Sequence, residues 1–323
     1  MSPADIARNR SRVLLAFATV YTIWGSTYLA IKYAVMSIPP FVAGAGRFLV
    51  SGAVLYAIAS VRGAPRPTAA QVRTAAITGV LMLAFGNGAV MWSELSVPSG
   101  IAALIVAAVP LWMVLIDWLR PHGVRPRAMV FVGLAIGVVG IVVLIGPSVV
   151  DGASQLGPAA LILLAGSFSW AFGSIVTRRG ARPDSPLMTT ALQMLAGGVA
   201  FIVLAAALGE FRGFALANVT LRSFLGWGYL VTFGSLLGFT AYIYLLGAVS
   251  PAKAGTYAYV NPVVAVFLGW LIAGEPIGAR TLIAAAIILA GVAIITTTQS
   301  PTHATGEHPV PRDTAPQRTR SAA

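Results

Sequence analysis

The sequence predicts an all-α integral membrane protein with ten transmembrane helices, arranged as two inverted five-helix repeats. Three observations predict this class. Apolar residues make up 58% of the 323-residue chain and charged residues only 9%, whereas about 25% of the residues in a soluble domain are charged. The apolar residues fall into about ten runs, each near the ~20 residues with which a helix crosses a bilayer. One pattern of residues also occurs twice along the chain.

The duplication is clearest in two short segments. WGSTYLAIK (24–32) and WAFGSIVTR (170–178) both begin with tryptophan, continue with small residues and end with a cation eight positions after the tryptophan. Longer segments and single residues correspond at a second fixed offset: 98–118 with 250–270, Pro110 with Pro262, Trp118 with Trp270, and Gly86 with Gly238. Duplicated membrane units of this kind are typical of secondary transporters, whose substrate lies between the repeats.

The predicted spans, in chain order, cover residues 13–36, 40–61, 75–95, 98–117, 128–148, 158–177, 187–209, 223–248, 252–273 and 281–298. The first runs past the length of a signal-peptide core and lacks a small-residue cleavage site, so we expect it to be retained. The second begins at Pro39 and Pro40 and is interrupted by Arg47. The predicted domains are a basic cytoplasmic N-terminus, two repeats and a disordered cytoplasmic tail rich in Pro, Thr, Arg and Ala, over residues 1–12, 13–148, 158–298 and 299–323.

The placement of lysine and arginine predicts the orientation. With the N-terminus in the cytoplasm, only five of these 21 residues lie away from the cytoplasmic side: Arg212, Arg222 and Arg280 outside, and Lys32 and Arg47 within spans. This asymmetry follows the positive-inside rule and predicts that both termini are cytoplasmic. Because each repeat has an odd number of spans, the second repeat is inverted relative to the first. The net charge of +12 is therefore interpreted as membrane anchoring and not as nucleic-acid binding.

Composition and acid placement argue against several other functions. The chain has no cysteine, and its three histidines lie in a predicted loop and in the tail, so neither a metal site nor any cofactor is predicted. No Walker motif is present that would let ATP drive this chain. Only Glu94 and Asp117 among the acids touch the predicted membrane margins, and they do so on opposite sides, so no catalytic dyad is expected. The protein is predicted not to be an enzyme.

Several stretches resemble the EamA-domain family of drug/metabolite transporters (DMT superfamily), and within it the YedA-like members. They are WGSTYLAI (24–31), GRFLVSG (46–52), GNG (86–88), VPSGIAALIVAAVPLW (97–112), SWAFGS (169–174), GYLVTFGSL (228–236) and VSPAKAGTYAYVNPVVAVFLG (249–269). The resemblance covers residues from about 13 to 298. It implies two EamA halves, the bacterial inner membrane, export of small metabolites or drugs, and a central cavity lined by helices 1, 3, 4, 6, 8 and 9.

One part of the chain departs from the family pattern. The ninth helix ends in GEPIG (274–278), as the family does in both halves, but the first half has DWLRPHG (117–123) at that place. Any role that the resemblance ties to this glutamate is therefore carried over to Glu275 only.

Three charged residues are predicted at or near the outer ends of their helices. A charge in the bilayer costs about 2.5–3.5 kcal/mol on insertion scales, so it usually faces inward and serves a function. Lys32, Arg47 and Glu94 are expected at one depth near the outer mouth, as a gate or a coupling ion pair, with Glu94 as a candidate proton carrier. The alternative is snorkelling together with a fixed ion pair that closes the corner between helices 1 and 3.

The predicted substrate cavity is lined by aromatic and small polar residues of the central helices: Trp24, Ser26, Thr27, Tyr28, Asn87, Trp112, Trp170, Ser174, Tyr257, Tyr259 and Asn261. Pro110 and Pro262 are hinge candidates because proline frees a backbone carbonyl one turn earlier; packing alone is the alternative. Tyr242 and Tyr244 carry no distinctive signal. Gly133 and Gly137 form a G-x-x-x-G pattern, which indicates close packing within the bundle or, alternatively, a homodimer seam.

Together these patterns predict a multi-pass protein of the bilayer that binds a small molecule. The predicted function is secondary active export of small amphipathic metabolites or drugs by alternating access, with hydrophobic or aromatic amino acids among the candidate substrates. Exchange of metabolites or uptake is the alternative. A channel, a receptor and an intramembrane enzyme fit the sequence less well.

Overall fold

The computed structural model describes residues 3–120, 125–145, 156–249 and 254–298, and within them all regular structure is helical. The principal helices are α1 Arg10–Ala34, α2 Pro40–Val61, α3 Ala69–Ser93, α4 Ser99–Leu119, α5 Ala128–Ile145, α6 Leu156–Arg179, α7 Pro186–Ala207, α8 Leu221–Ala248, α9 Tyr257–Ala273 and α10 Ala279–Thr298. The predicted all-α class is confirmed for these residues. The predicted tail, residues 299–323, lies outside them.

Seven of these helices are long and apolar enough to cross a membrane, namely α1 to α4 and α6 to α8. The other three are apolar over shorter stretches, Ala128–Leu144 in α5, Val260–Ala273 in α9 and Ala279–Gly291 in α10. The multi-pass character is thus confirmed, whereas the number of ten membrane crossings stays a prediction.

The helices pack in a pattern that is preserved when the two repeats are exchanged. Helix α2 packs on α7, α4 on α9, and α5 on α10, so each of these helices contacts its own counterpart. The remaining large contacts form exchanged pairs: α1 with α8 corresponds to α6 with α3, α1 with α9 to α6 with α4, and α2 with α8 to α7 with α3. The duplication in the sequence is therefore also a pseudo-two-fold relation between packed helices.

Glycines at corresponding positions allow these close contacts. A Cβ atom added to Gly52 of α2 would lie 3.0 Å from Leu195 of α7, and one added to Gly198 of α7 would lie 2.7 Å from Leu49 of α2. Residues 52 and 198, like 49 and 195, are separated by the same 146 positions as the two tryptophan motifs. The same contact is thus made twice, once in each direction.

The G-x-x-x-G pattern of α5 packs against α10. A Cβ atom on Gly291 would lie 2.7 Å from the carbonyl oxygen of Gly133 and 3.0 Å from the Cα atom of Gly137. The G-x-x-x-G pattern therefore serves close packing of two helices within the bundle, the first of the two alternatives. A homodimer stays a prediction, and this motif no longer supports it.

In the described part of the chain, three helices contain π-helical segments that the sequence analysis did not predict: Val20–Trp24 in α1, Val80–Asn87 in α3 and Leu230–Phe239 in α8. The segments of α3 and α8 are repeat counterparts. Helix α4 is interrupted by a turn at residues 107–108 and resumes at Val109, so that Pro110 lies in the first turn of its second part, whereas Pro262 lies inside α9. Irregular turns of this kind leave backbone groups free for other partners and are frequent at functional sites.

Candidate functional site

A cavity lies between the two repeats, at the centre of the helix packing just described. Its walls come from α1, α2, α3, α4, α6, α8 and α9, so α2 joins the helices that the family resemblance implied. Seven predicted cavity residues lie on the wall: Trp24, Thr27, Tyr28, Asn87, Trp170, Tyr257 and Asn261. The cavity has a volume of about 60 Å³, which is room for roughly four to six water molecules.

The aromatic part of the wall is built around Trp24. Its ring lies 5.5 Å from that of Trp170 and 5.2 Å from that of Tyr257, both nearly perpendicular to it, and 5.0 Å from the ring of Tyr242. Edge-to-face contacts of this kind are favoured because the positive edge of one ring meets the negative face of another. The indole Nε1 of Trp24 donates to the carbonyl oxygen of Gly234 over 3.1 Å. That carbonyl belongs to the π-helical segment of α8.

Each tryptophan lies against a glycine of the opposite repeat. A Cβ atom on Gly238 of α8 would lie 2.5 Å from the Trp24 indole, and one on Gly86 of α3 would lie 3.2 Å from Trp170. The two tryptophans correspond in sequence, as do the two glycines, and in the structure each tryptophan makes the same contact with the glycine of the other repeat. Neither glycine could carry a side chain without displacing the wall of the cavity.

Sequence reasoning missed Tyr242, which is fully buried beneath this wall. Its hydroxyl group shares a hydrogen bond of 2.9 Å with the Ser174 hydroxyl. Ser174 was predicted to line the cavity, but it is not on the wall and instead holds Tyr242. The alternation of apolar and polar residues along α8 gave no signal for Tyr242, because a π-helical segment precedes it and shifts the face on which it lies.

Two other predicted residues also lie off the wall. Ser26 shares a hydrogen bond of 2.6 Å with the Tyr229 hydroxyl. The Trp112 indole donates to Ser167, itself a wall residue, over 2.9 Å. Tyr259 has a side chain outside the described part of the structure.

The polar part of the wall contains Arg47, only 4% exposed. Its Nε donates to the Ser235 hydroxyl over 2.8 Å and its Nη1 to the Asn87 side-chain oxygen over 3.3 Å. The guanidinium carbon lies 4.7 Å above the Phe48 ring. Arg47 therefore does not lie with Lys32 as the sequence analysis expected, because it is seven residues into α2, or roughly 10 Å along the helix axis.

Lys32 and Glu94 lie at one end of the molecule, together with Glu275, and we call this the Lys32 end. The ammonium of Lys32 lies 2.6 Å from the Glu275 carboxylate. Ser99, the first residue of α4, donates its backbone N–H and its hydroxyl to the same carboxylate over 3.0 Å. A carboxylate is favourable there because the first N–H groups of a helix are unpaired and carry positive partial charge.

These contacts change the pKa of Glu275, which lies between α9 and α10. Burial alone would raise it, but the hydrogen bonds from Lys32 and Ser99 and the charge of Lys32 outweigh burial and lower the pKa below its usual value. Glu94 is 4% exposed and interacts electrostatically with both Lys32 and Glu275. Neither of its carboxylate oxygens accepts a hydrogen bond from the described residues. The Lys32 end thus holds one paired and one unpaired carboxylate.

The opposite end has a related arrangement around Asp117. This carboxylate lies 2.7 Å from Arg120 and 3.2 Å from Arg179, while Arg178 donates to the Val249 carbonyl oxygen over 2.8 Å. Arg178 is the repeat counterpart of Lys32. Each end of the molecule thus carries cations of α1 or α6 beside a carboxylate from the region where α9 or α4 ends.

Comparison with known proteins gives one family. The model of the EamA-like transporter family matches residues 11–146 and 157–297, once in each repeat. The chain is 41% identical over 282 residues to the uncharacterized inner membrane transporter YedA of Escherichia coli (strain K12), covering 87% of this chain and 89% of that protein.

Two further similarities are more distant. A probable terminal-alkyne amino-acid exporter of Streptantibioticus cattleyicolor is 25% identical over 285 residues, which is 88% of this chain and 93% of that one. A crystal structure of a protein superposes with a TM-score of 0.65 at 23% identity, over 89% of this chain and 98% of the other. That structure supports the fold alone.

Proposed function

Since the chain belongs to the EamA-like transporter family, we propose that it is a secondary active exporter that moves small amphipathic metabolites or drugs by alternating access. It is a multi-pass transporter of the inner membrane. The proposal adds a direction, a class of cargo and a mechanism. It also includes ten membrane crossings with both termini in the cytoplasm.

One observation carries the proposal: a small cavity with aromatic and polar walls lies where the two repeats meet, and repeat-related helices build its walls. A volume of about 60 Å³ is well below the ~300–1,000 Å³ of ordinary ligand pockets. Cargo of ordinary size can therefore occupy this cavity only if its walls move apart. Two bundles related by a pseudo-two-fold axis can separate at one end or at the other, which gives access to one side at a time.

The cavity wall supports an amphipathic cargo. The rings of Trp24, Trp170 and Tyr257 offer apolar and planar surface, while Arg47, Asn87 and Asn261 offer polar groups. One relative is described as a probable terminal-alkyne amino-acid exporter, and we include hydrophobic or aromatic amino acids among the candidate cargo. Exchange or uptake remains the alternative direction.

The two ends of the molecule supply candidates for gating and coupling. We assign the gate at the Lys32 end to the ion pair of Lys32 with Glu275, and proton coupling to the unpaired carboxylate of Glu94. Pro110 and Pro262 remain the proposed hinges. An ion gradient or exchange of solutes provides the driving force.

The test is counterflow in proteoliposomes that contain the purified protein. We expect saturable uptake of radiolabelled phenylalanine into vesicles preloaded with the unlabelled compound, and a loss of at least tenfold in Trp24→Ala. Phe211→Ala is the matched control because this aromatic residue is exposed and lies in the loop after α7. Uptake that does not saturate, for phenylalanine and for a panel of amphipathic amines and drugs, would contradict the proposed function.

A further inference from the structure

We infer that Arg47 is an anion anchor, which binds the carboxylate of cargo that carries one negative charge beside an apolar or aromatic body. The inference rests on the proposed function and names the class of substrate. It assigns to the cavity two ends, a cationic one at Arg47 and an aromatic one at Trp24 and Trp170.

The first argument is that Arg47 has no counter-charge. It is 4% exposed, and both acceptors of its hydrogen bonds, Ser235 and Asn87, are neutral. The ion pairs within 4.0 Å in the described residues use Lys32, Arg120 and Arg179, and none uses Arg47. A buried charge without a partner is costly. An anionic ligand in the cavity would supply the missing charge.

The second argument is that one edge of the guanidinium group remains available. Ser235 and Asn87 take Nε and Nη1, and Nη2 donates to no described residue. Nη2 faces Gly234 of the cavity wall, where an added Cβ atom would lie only 3.0 Å away. The two neutral partners hold the group in one orientation, and the missing side chain at Gly234 leaves room beside it. A carboxylate matches the geometry of such an edge.

The third argument comes from the other repeat. The counterpart of Arg47 is Gln193, 146 positions later. Gln193 is fully buried and bonds the hydroxyls of Thr78 and Thr177 over 2.8 Å. A neutral amide thus satisfies the packing at the equivalent place, so the helix contact does not require a charge. The charge of Arg47 is left for the ligand.

The remaining wall defines the rest of the cargo. Arg47 is the one charged residue on the described wall, which favours one negative charge over the two of a phosphate ester. Asn261 is 3% exposed, and its Oδ1 has no partner in the described part of the chain. An ammonium, amide or hydroxyl group on the cargo could donate to it. Small aromatic or apolar carboxylates with such a donor meet all three requirements.

Binding to the purified protein in detergent tests this inference separately from transport. The probes share one ring and differ in charge: 3-phenylpropionate, phenylalanine, phenylalaninamide and phenethylamine. Quenching of tryptophan fluorescence reports binding, because Trp24 and Trp170 form the wall. We expect the two acids to bind the wild type at least tenfold more tightly than the amide and the amine. Arg47→Gln should remove this preference, and Arg47→Lys should keep part of it.

Arg212→Gln is the matched control, since Arg212 is exposed in the loop after α7; its preference for acids should be unchanged. If Arg47→Gln does not fold, the probe affinities of the wild type and of Ser235→Ala test the inference instead. Ser235→Ala removes the acceptor of the Arg47 Nε group and should weaken the binding of the two acids several-fold. Equal affinity of the wild type for acid and amide, or an unchanged preference in Arg47→Gln, would overturn the inference. If either of these two results is found while phenethylamine shows saturable counterflow, the inference about Arg47 fails but the proposed transport function stands. Preferential acid binding without flux would instead contradict transport alone.

Discussion

Glycines decide where the tryptophans of the cavity lie. Gly238 lets the Trp24 indole approach α8 closely enough to donate to the Gly234 carbonyl, and Gly86 lets Trp170 pack closely against α3. A methyl group on Gly238 must push the Trp24 ring away, because it would lie only 2.5 Å from the indole. One on Gly86 would lie 3.2 Å from Trp170 and require a smaller shift. The aromatic wall is therefore set by residues that have no side chain.

Gly238→Ala should consequently displace Trp24 and reduce transport more than tenfold. The emission maximum of the tryptophans should also change as the indole loses its hydrogen bond. Gly228→Ala is the control in the same helix, because a Cβ atom there meets nothing within 4 Å. Both variants gain the same helix propensity, about 1 kcal/mol at an interior position. Counterflow and fluorescence check the difference, and equal activity of the two variants would contradict this account of the wall.

The ion pair at the Lys32 end should make stability depend on pH. The pKa of Glu275 is lowered in the folded protein, so its carboxylate stabilises the fold at pH values above its unfolded pKa of about 4.3. This contribution is lost as the pH falls through the lower, folded pKa. At pH 7, Glu275→Gln should therefore lower the free energy of unfolding by about 1 kcal/mol, because Lys32 is partly exposed and solvent weakens the ion pair. The variant should accordingly unfold at a lower temperature than the wild type.

Thermal unfolding in detergent at pH 7 and near pH 3 measures this effect. The difference between Glu275→Gln and the wild type should shrink at the lower pH, where the wild-type carboxylate is also protonated. Asp184→Asn is the control, since Asp184 is exposed and makes no ion pair within the described residues. A difference of equal size at both pH values would mean that Glu275 acts through packing and not through its charge.

The sequence predicted part of this site for reasons that can be stated. Trp24 and Trp170 were found because tryptophan far from the interfacial belt needs a partner or a cavity. Arg47 was found as an intramembrane charge, but its partners were not, because Ser235 lies 188 residues away and on a helix with a π-helical segment. Ser26, Trp112 and Ser174 have suitable chemistry but lie off the wall, since a single residue's side of a helix depends on such local irregularities.

At the scale of helices, the start of α2 shows how one loop residue fixes an element. Pro40 occupies the first turn of α2, where its missing N–H costs nothing. The next two N–H groups, those of Phe41 and Val42, both donate to the Glu210 carboxylate over 2.8 and 3.0 Å. Glu210 lies in the loop after α7, so this cap also joins the two repeats. No periodic pattern in the sequence indicates such a contact.

Glu210→Ala should destabilise the protein by about 1 kcal/mol, the usual cost of losing a helix cap. Glu210→Gln should cost less, because the amide keeps one acceptor oxygen for the two N–H groups. Thermal unfolding measures both, and hydrogen exchange at Phe41 and Val42 locates the effect. If the alanine and glutamine variants are equally stable, the hydrogen bonds of Glu210 do not hold the start of α2.

Helix existence was predictable from apolar runs, whereas helix irregularity was not. The run length that identifies a span is insensitive to one inserted residue, so the π-helical segments of α3 and α8 left no trace in it. The break in α4 was indicated by Pro110. The same residue type at Pro262 lies inside a continuous helix, because a neighbouring helix can satisfy the backbone group that proline frees.

At the scale of the whole molecule, the helix contacts keep the same pattern when the two repeats exchange places. The contacts of α2 with α7, α4 with α9 and α5 with α10 each join a helix to its counterpart. The duplication was predictable because the two halves of the sequence can be compared directly with each other. Such a comparison could not predict which helices touch, because the pairs that pack are separated by about 150 residues and by a loop geometry that no local pattern encodes.

The inverted arrangement itself can be tested without any background from native thiols, since the chain contains no cysteine. Positions 36 and 181 precede the counterpart helices α2 and α7 and are both exposed, as is position 217 after α7. If the repeats are inverted and the N-terminus is cytoplasmic, a membrane-impermeant maleimide should label Met36→Cys and Ala217→Cys in intact spheroplasts. Ala181→Cys should react only after permeabilisation, because the odd number of crossings between positions 36 and 181 places them on opposite sides. Labelling of positions 36 and 181 from the same side would mean parallel repeats, and the exchange of access between the two ends would then have no structural basis.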